Sequence, residues 1–443
     1  MEKKRRREFM VLFLLIFAVH IFMEIDFNDD QVYTGIIRKK DLWQTLVYSY
    51  ESGRELFCRY WYSVLYGFLR KFAGGLLWKP VMAGFYTMIP VCIYKLFGED
   101  RSKRSTAVVA GAILLLMPMS FMGETGWLST AVVYVPPVAF ALCGALGMAK
   151  AVRGDHLAVW EYPWYLFCVY LGCAHEQLSA LLACLFVMVL ADELFLQKKR
   201  GRCLIFPVLL FLTSAYQLFV AMTWPANEER VLRETKFFFP NYGTLNIIEK
   251  IYLAFQETFR VMFRDRWLVP LVLSLVIGGF LWQKYQERLY RVLAVVPAGI
   301  CLVLGPFQQI LSRGFPQLVQ MFQVNIAVDT IDDSLGYLAM AGGVWFIGNL
   351  LINLYLIWGN REKTWLSQLI LLGGFCTRWI MGLSASLYAS RQRTFFVLYI
   401  CMGILIYQVW QEAEKEGQRH AGAMEKGILA AAVLGYLEWF ACV

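Results

Sequence analysis

Residues 1–30, MEKKRRREFMVLFLLIFAVHIFMEIDFNDD, run from a basic cluster through an apolar stretch to paired carboxylates. The apolar part, 9–25, is long enough as a helix to cross a hydrocarbon core of about 30 Å. Lys and Arg before it, and Asp after it, set the N-terminus on the cytoplasmic side and Asp29 and Asp30 on the other. The stretch starts like a signal peptide but has no small-residue cleavage site ahead of the acids. It is therefore expected to stay as the first helix.

The same alternation recurs along the chain. Of 443 residues, 59% are hydrophobic and 17% charged, and the mean hydropathy is +0.51. Soluble domains carry about 25% charged residues. Backbone polar groups inside a bilayer must be satisfied within the spanning segment, and these runs are too long for barrel strands. The expected class is therefore an all-α, polytopic membrane protein. Apolar runs fall near 9–25, 77–97, 105–122, 127–149, 161–174, 178–195, 204–223, 267–283, 290–307, 336–358, 366–384, 394–410 and 427–441. They imply about 11–13 transmembrane helices.

Charge supports that alternation. MEKKRRRE, EDRSKR, KAVRGDH, LQKKRGR, QKYQERLYR, GNREK and QEAEKEGQR fall on the cytoplasmic side. Asp26, Asp29, Asp30, Glu124, Glu176, Glu228, Glu229, Asp329, Asp332 and Asp333 fall on the other. This is the positive-inside bias. The net charge of +9 thus punctuates spans and does not form a nucleic-acid surface. Residues 1–410 are expected to form the transmembrane domain, with outer loops near 26–76, 224–266 and 308–335. Residues 411–443 are expected to be a cytoplasmic linker and a final helix. The stretch DLWQTLVYSYESGRELFCRYWYSVLYGFLRKF is expected as one or two amphipathic helices at the interface, with re-entry of 56–72 into the bilayer as the alternative, and NIIEKIYLAFQETFRVMF carries apolar residues at helical spacing. No internal repeat of an inverted-repeat transporter is visible.

The candidate chemistry lies at the outer face. Asp29 or Asp30 could take a proton from a sugar or lipid hydroxyl while its neighbour orients the acceptor. The plainer reading is a cap on the helix that DDQVYTGI begins. Arg54, in SGRE, and Arg391 and Arg393, in YASRQRTFF, run against the charge bias, and a planar guanidinium suits phosphate. Arg54 could equally pair with Glu51 or Glu55, and the late pair could be a solvated turn. Glu124, in MGETGWLS, and His175 and Glu176, in GCAHEQLSA, sit at short turns between apolar runs, where a charge seldom faces lipid. Each could bind a ligand or hold helix ends together. In Trp224-Pro225-Ala226-Asn227-Glu228-Glu229-Arg230 the proline ends a helix, and Asn227 and Arg230 could face a polar cavity.

A divalent cation, magnesium or manganese, could be held by Asp29, Asp30 and Glu176. The 11 cysteines include no CxxC. Most lie in apolar runs and read as small hydrophobes, although Cys168 and Cys173 near His175 also admit a metal reading.

In sequence order the motifs are FNDD, a run with SGRE, GETGWLSTAVVYVPP, CAHEQ, WPANEER and ASRQRTFF. This order resembles an uncharacterised bacterial multi-pass membrane family, itself similar to serotype-converting glucosyltransferase-like proteins of the GT-C superfamily. The resemblance covers most of residues 8–400. It implies a GT-C-like fold in a bacterial plasma membrane. It also implies transfer of a sugar from a polyprenyl-phosphate donor to a cell-surface glycan or lipid-linked acceptor on the non-cytoplasmic face. By that resemblance the acidic residue of the first outer loop maps to Asp29 or Asp30, and the GR element to Gly53-Arg54. The mid-chain acid maps to Glu176, and the late arginine to Arg391 or Arg393. The family's Pro-Gly-Asn-x-x-Arg maps to Pro225–Arg230, with Ala226 in place of glycine. The competing expectation is a transporter or flippase of lipid-linked sugars or small solutes, whose polar groups would sit at midplane depth in broken helices.

Overall fold

The computed structural model describes residues 2–24, 28–56, 59–98, 106–123, 126–198, 201–316, 334–359, 362–417 and 421–443. Asp26, Glu124, Asp329, Asp332, Asp333 and the EDRSKR cluster lie outside these residues. Among the described residues every regular element is a helix.

The chain opens with α1 (Glu2–Phe22), which begins inside the basic cluster and not after it. Three short helices follow, α2 (Asn28–Ile37), α3 (Leu42–Leu56) and α4 (Tyr60–Lys71), the last two in the stretch where one or two amphipathic helices are expected. Next come α5 (Trp78–Phe97), α6 (Thr106–Leu115), the single turn α7 (Ser120–Gly123) and α8 (Trp127–Arg153). Then α9 (Glu161–Gly172), α10 (Glu176–Ala191) and α11 (Ile205–Met222) run back and forth. The second amphipathic region is α12 (Asn227–Phe238) and α13 (Ile247–Arg260). The chain continues through α14 (Leu268–Lys284), α15 (Arg288–Leu304) and α16 (Gln308–Gly314). The last helices are α17 (Ser334–Trp358), α18 (Glu362–Trp379), α19 (Phe396–Lys415) and α20 (Ala421–Ala441).

Seven helices among the described residues are long and apolar enough to cross a membrane: those spanning Trp78–Phe97, Trp127–Arg153, Glu176–Leu196, Ile205–Met222, Ala339–Trp358, Glu362–Leu383 and Gln392–Lys415. Two bent pairs raise the number to nine if each is one span; Ile247–Asp265 meets Leu268–Lys284 at 83°, and Arg288–Leu304 meets Gln308–Gly314 at 80°. The expected runs at 105–122 and 161–174 are shorter as helices, because α6 and α9 have 10 and 12 residues. At 1.5 Å per residue these reach roughly 15 and 18 Å, well short of a core of about 30 Å. Pro118 follows α6 and prevents its direct continuation into α7.

The apolar window of α19 is 89% buried and that of α8 78%, whereas that of α11 is 33% buried. The first two are the centre of the bundle and the third is periphery. α20 packs into the same core: Trp439 is fully buried, and its Nε1 donates to the Met117 carbonyl at 2.7 Å. Beside it, Arg266 bridges two distant segments. Its Nη1 meets Glu438 Oε1 at 3.0 Å and its Nε donates to Gln392 Oε1 at 2.7 Å. The Tyr399 hydroxyl closes on the Arg266 carbonyl at 2.8 Å.

Candidate functional site

One end of the bundle is built from the first residues of α8 and α10, the last of α11 and α18, and the short helices α2–α4 and α12. Between them lies a cavity of about 1460 Å³ whose walls include Asp29, His175, Glu176, Arg230 and Arg393. Candidates scattered over more than 360 residues of sequence thus meet at one place, although not all of them do.

Asp29 and Asp30 part company. Asn28 has φ 49°, a left-handed turn that Asn tolerates well, and starts α2. Asp29 lines the cavity and is exposed to it. Asp30 is fully buried and turned the other way: its Oδ2 accepts from Leu128 N and its Oδ1 from Ser129 N, both at 2.9 Å. A carboxylate on the first N–H groups of α8 satisfies donors that have no partner within the helix and meets the positive end of its dipole. Burial still pushes the Asp30 carboxyl up from its usual range, against the pull of those two N–H groups. Gly126 makes the approach possible. Its φ is +135°, and a Cβ there would lie 2.8 Å from Asp30 Oδ2.

Glu176 is the hinge of an ion-pair chain. Its Oε1 is 3.7 Å from both Arg59 Nη2 and Arg230 Nη1. Arg230 Nε lies 3.9 Å from Glu234 Oε1, and Glu234 Oε2 accepts from the Ser384 hydroxyl at 3.3 Å. The chain ties α4, α10, α12 and the segment after α18 around one wall. His175, just before α10, is 3% exposed, with its ring centroid 5.0 Å from that of Tyr134. Burial, reinforced by the charge of Arg59, pushes its pKa down, so the imidazole is neutral.

Asn227 and Arg54 do not line the cavity. Asn227 Nδ2 donates to the Ala221 carbonyl at 2.8 Å, capping the end of α11. Ala226 has φ −74°, so this turn requires no glycine. The Arg54 carbonyl accepts from Trp224 Nε1 at 3.1 Å, which joins the SGRE and WPANEER motifs. Its neighbour Gly53 does reach the cavity, and a Cβ there would stand 2.7 Å from Ser63 Cβ, so glycine lets α3 and α4 close together. Arg391 opens the turn Arg391–Phe395, and Arg393, two residues on, lines the cavity.

The wall also holds Arg59, Tyr134, Gln177, Glu234 and the hydroxyls of Ser384, Ser386 and Ser390, none of which was a sequence candidate for the site. Arg59 had a signal, as an arginine against the charge bias. The serines had none. Behind the wall, Arg378 is fully buried, with its guanidinium 4.5 Å from the Phe395 ring centre. A lone charge inside the apolar run FCTRWIM could have exposed it.

Asp29, Asp30 and Glu176 are not brought together as a three-ligand metal group. Among the described residues no group of three or more His, Cys, Asp or Glu side chains could hold a metal ion. Asp30 is committed to α8, and Cys168 and Cys173 are fully buried. Comparison of the chain with protein-family models, with curated proteins and with solved structures gave no match in any of the three. The fold and the site define a class only: an all-helical protein with helices able to span a membrane and a charged cavity at one end of the bundle.

Proposed function

We propose that the protein is a membrane glycosyltransferase that moves a sugar from a polyprenyl-phosphate donor to a cell-surface glycan or lipid-linked acceptor on the non-cytoplasmic face. The observation that carries this reading is the meeting of an exposed carboxylate, Asp29, with Arg59, Arg230 and Arg393 around one cavity of about 1460 Å³.

Asp29 takes the proton of an acceptor hydroxyl as it attacks the anomeric carbon. The bond to phosphate breaks on the opposite side of that carbon, which inverts its configuration. The leaving phosphate is already an anion, so it needs charge stabilisation more than a proton. Guanidiniums fixed by Glu176 and Glu234 supply it without reorganising during the reaction. Apolar side chains share the cavity: Leu218, Met222, Phe237, Phe238 and Leu383 line it, and Met222 and Phe237 are 73% and 70% exposed. That rim suits the lipid part of such a donor. The bent helix pairs, where a transporter would place its binding groups, contribute no residue to the wall.

The experiment is sugar transfer in membranes given labelled polyprenyl-phosphate hexoses and glycan acceptors, with wild type beside Asp29→Asn and Asp30→Asn at matched expression. Transfer that collapses in Asp29→Asn but persists in folded Asp30→Asn supports the reading. Wild type that transfers from no donor in the panel overturns it.

A further inference from the structure

At the wall of the cavity, the CAHEQ turn leaves polar atoms without partners among the described residues. Gln177 is 3% exposed, and its Nε2 donates to the carbonyls of Thr377 at 2.8 Å and Thr394 at 3.4 Å. Two carbonyl acceptors fix which end of the amide is nitrogen. Oε1 is then an acceptor with no hydrogen-bond partner among the described residues. His175, equally buried, has no partner there for Nδ1 or for Nε2. A neutral imidazole carries one N–H donor and one acceptor nitrogen. Beside the cavity, the turn therefore holds two acceptors and one donor that lack partners among the described residues, all neutral and all shielded from bulk water. Buried polar groups are almost always satisfied, and each exception needs an explanation.

The complement of that set is specific. A phosphate offers acceptors only and would leave Gln177 Oε1 and one imidazole nitrogen unmatched. An ammonium group or a metal ion offers nothing to the imidazole N–H. Hydroxyl groups donate and accept, so they are complementary to the acceptors and to the donor alike. We infer that His175 and Gln177 form a hydroxyl-binding subsite that holds the sugar ring, beside and separate from the arginines. The assignment rests on the transferase reading and deepens it. The Tyr134 ring, already against His175, adds an apolar face of the kind that packs on a sugar ring. The ring held could be that of the lipid-linked donor or that of the glycan acceptor, which present the same chemistry.

The test uses the full chain in lipid nanodiscs with nitrogen-15-labelled histidine. The chain has 4 histidines, so the His175 resonances are assigned by their loss in His175→Phe. The probes are a polyprenyl-phosphate hexose, the same polyprenyl phosphate without sugar, and a methyl hexoside. The expected result is a shift of the His175 resonances with a sugar-bearing probe and none with the bare lipid phosphate. His175→Phe is expected to weaken binding of the glycosylated lipid about tenfold, the scale of a lost buried hydrogen bond, with bare-lipid binding unchanged. A shift with the lipid-linked sugar alone assigns the donor ring; one with the methyl hexoside assigns the acceptor ring; both support the subsite. Two lipids that bind while no sugar probe moves His175, or an equal shift with bare lipid phosphate, overturn the subsite and leave the transferase reading standing. If neither lipid binds, the transferase reading falls, and a resonance that the methyl hexoside also leaves unmoved overturns the subsite with it.

Discussion

Two turns on the same cavity bury polar side chains in opposite ways. At Asp29–Asp30, the buried carboxylate has both oxygens on backbone N–H groups, and its exposed neighbour faces the cavity. At His175–Gln177, the buried side chains keep polar atoms without partners, and the residue between them carries the ion pairs. Burial alone does not mark a functional residue. A buried polar group that is satisfied holds the fold; one that is unsatisfied weakens the fold until a ligand arrives.

The comparison can be broken by experiment. The largest effect is expected at Asp29. Asp29→Asn should lower sugar transfer by about 10²–10⁴, the range for a general base, with no change in the unfolding midpoint; a preserved rate would remove Asp29 from the chemistry. At Asp30 the effect moves to stability. Asp30→Ala should cost about 2–3 kcal/mol, because it strands two N–H groups at the start of α8, read from denaturant unfolding in detergent. Gly126→Ala should cost about 1–3 kcal/mol through backbone strain and its collision with Asp30. Made together with Asp30→Ala it should cost less than the sum, since the collision partner is gone. The smallest change, and the one that sharpens the contrast, is His175→Phe. It should be neutral or stabilise by up to about 1 kcal/mol, because it removes unsatisfied atoms and keeps the ring.

The same residue predicts a pH response. His175 is held below its ordinary value in the folded chain. The unfolded chain therefore binds the proton first as the solution is acidified. Wild type should lose stability as pH falls below about 6.5, the ordinary histidine value. His175→Phe should lose less over that interval, and parallel curves would show that His175 is not buried neutral.

The long helices were legible in the sequence because α8, α10, α11 and α19 are long apolar runs, and length alone identifies such a run. The breaks were less so. The 80° bend falls at Gly305-Pro306, a pair that breaks a helix locally, whereas the 83° bend falls at Arg266-Trp267, where no such pair stands. Sequence singled out Glu176 and Arg230, which line the cavity, because a charge beside an apolar run is costly. It could not separate Asp29 from Asp30. Which of two adjacent carboxylates turns inward depends on where the N-terminus of α8 arrives, 98 residues later. Serines such as Ser384 and Ser386 left no trace, since a hydroxyl is ordinary anywhere.

The Arg266 bridge bears on how the protein can be handled. Glu438 lies five residues from Val443 in the sequence and, through Arg266, steadies Gln392, the immediate neighbour of Arg393. A shortened version ending before Ala421 would remove Glu438 and so release that brace on the cavity wall. An inactive preparation of that kind would report on a severed brace and not on a missing catalyst.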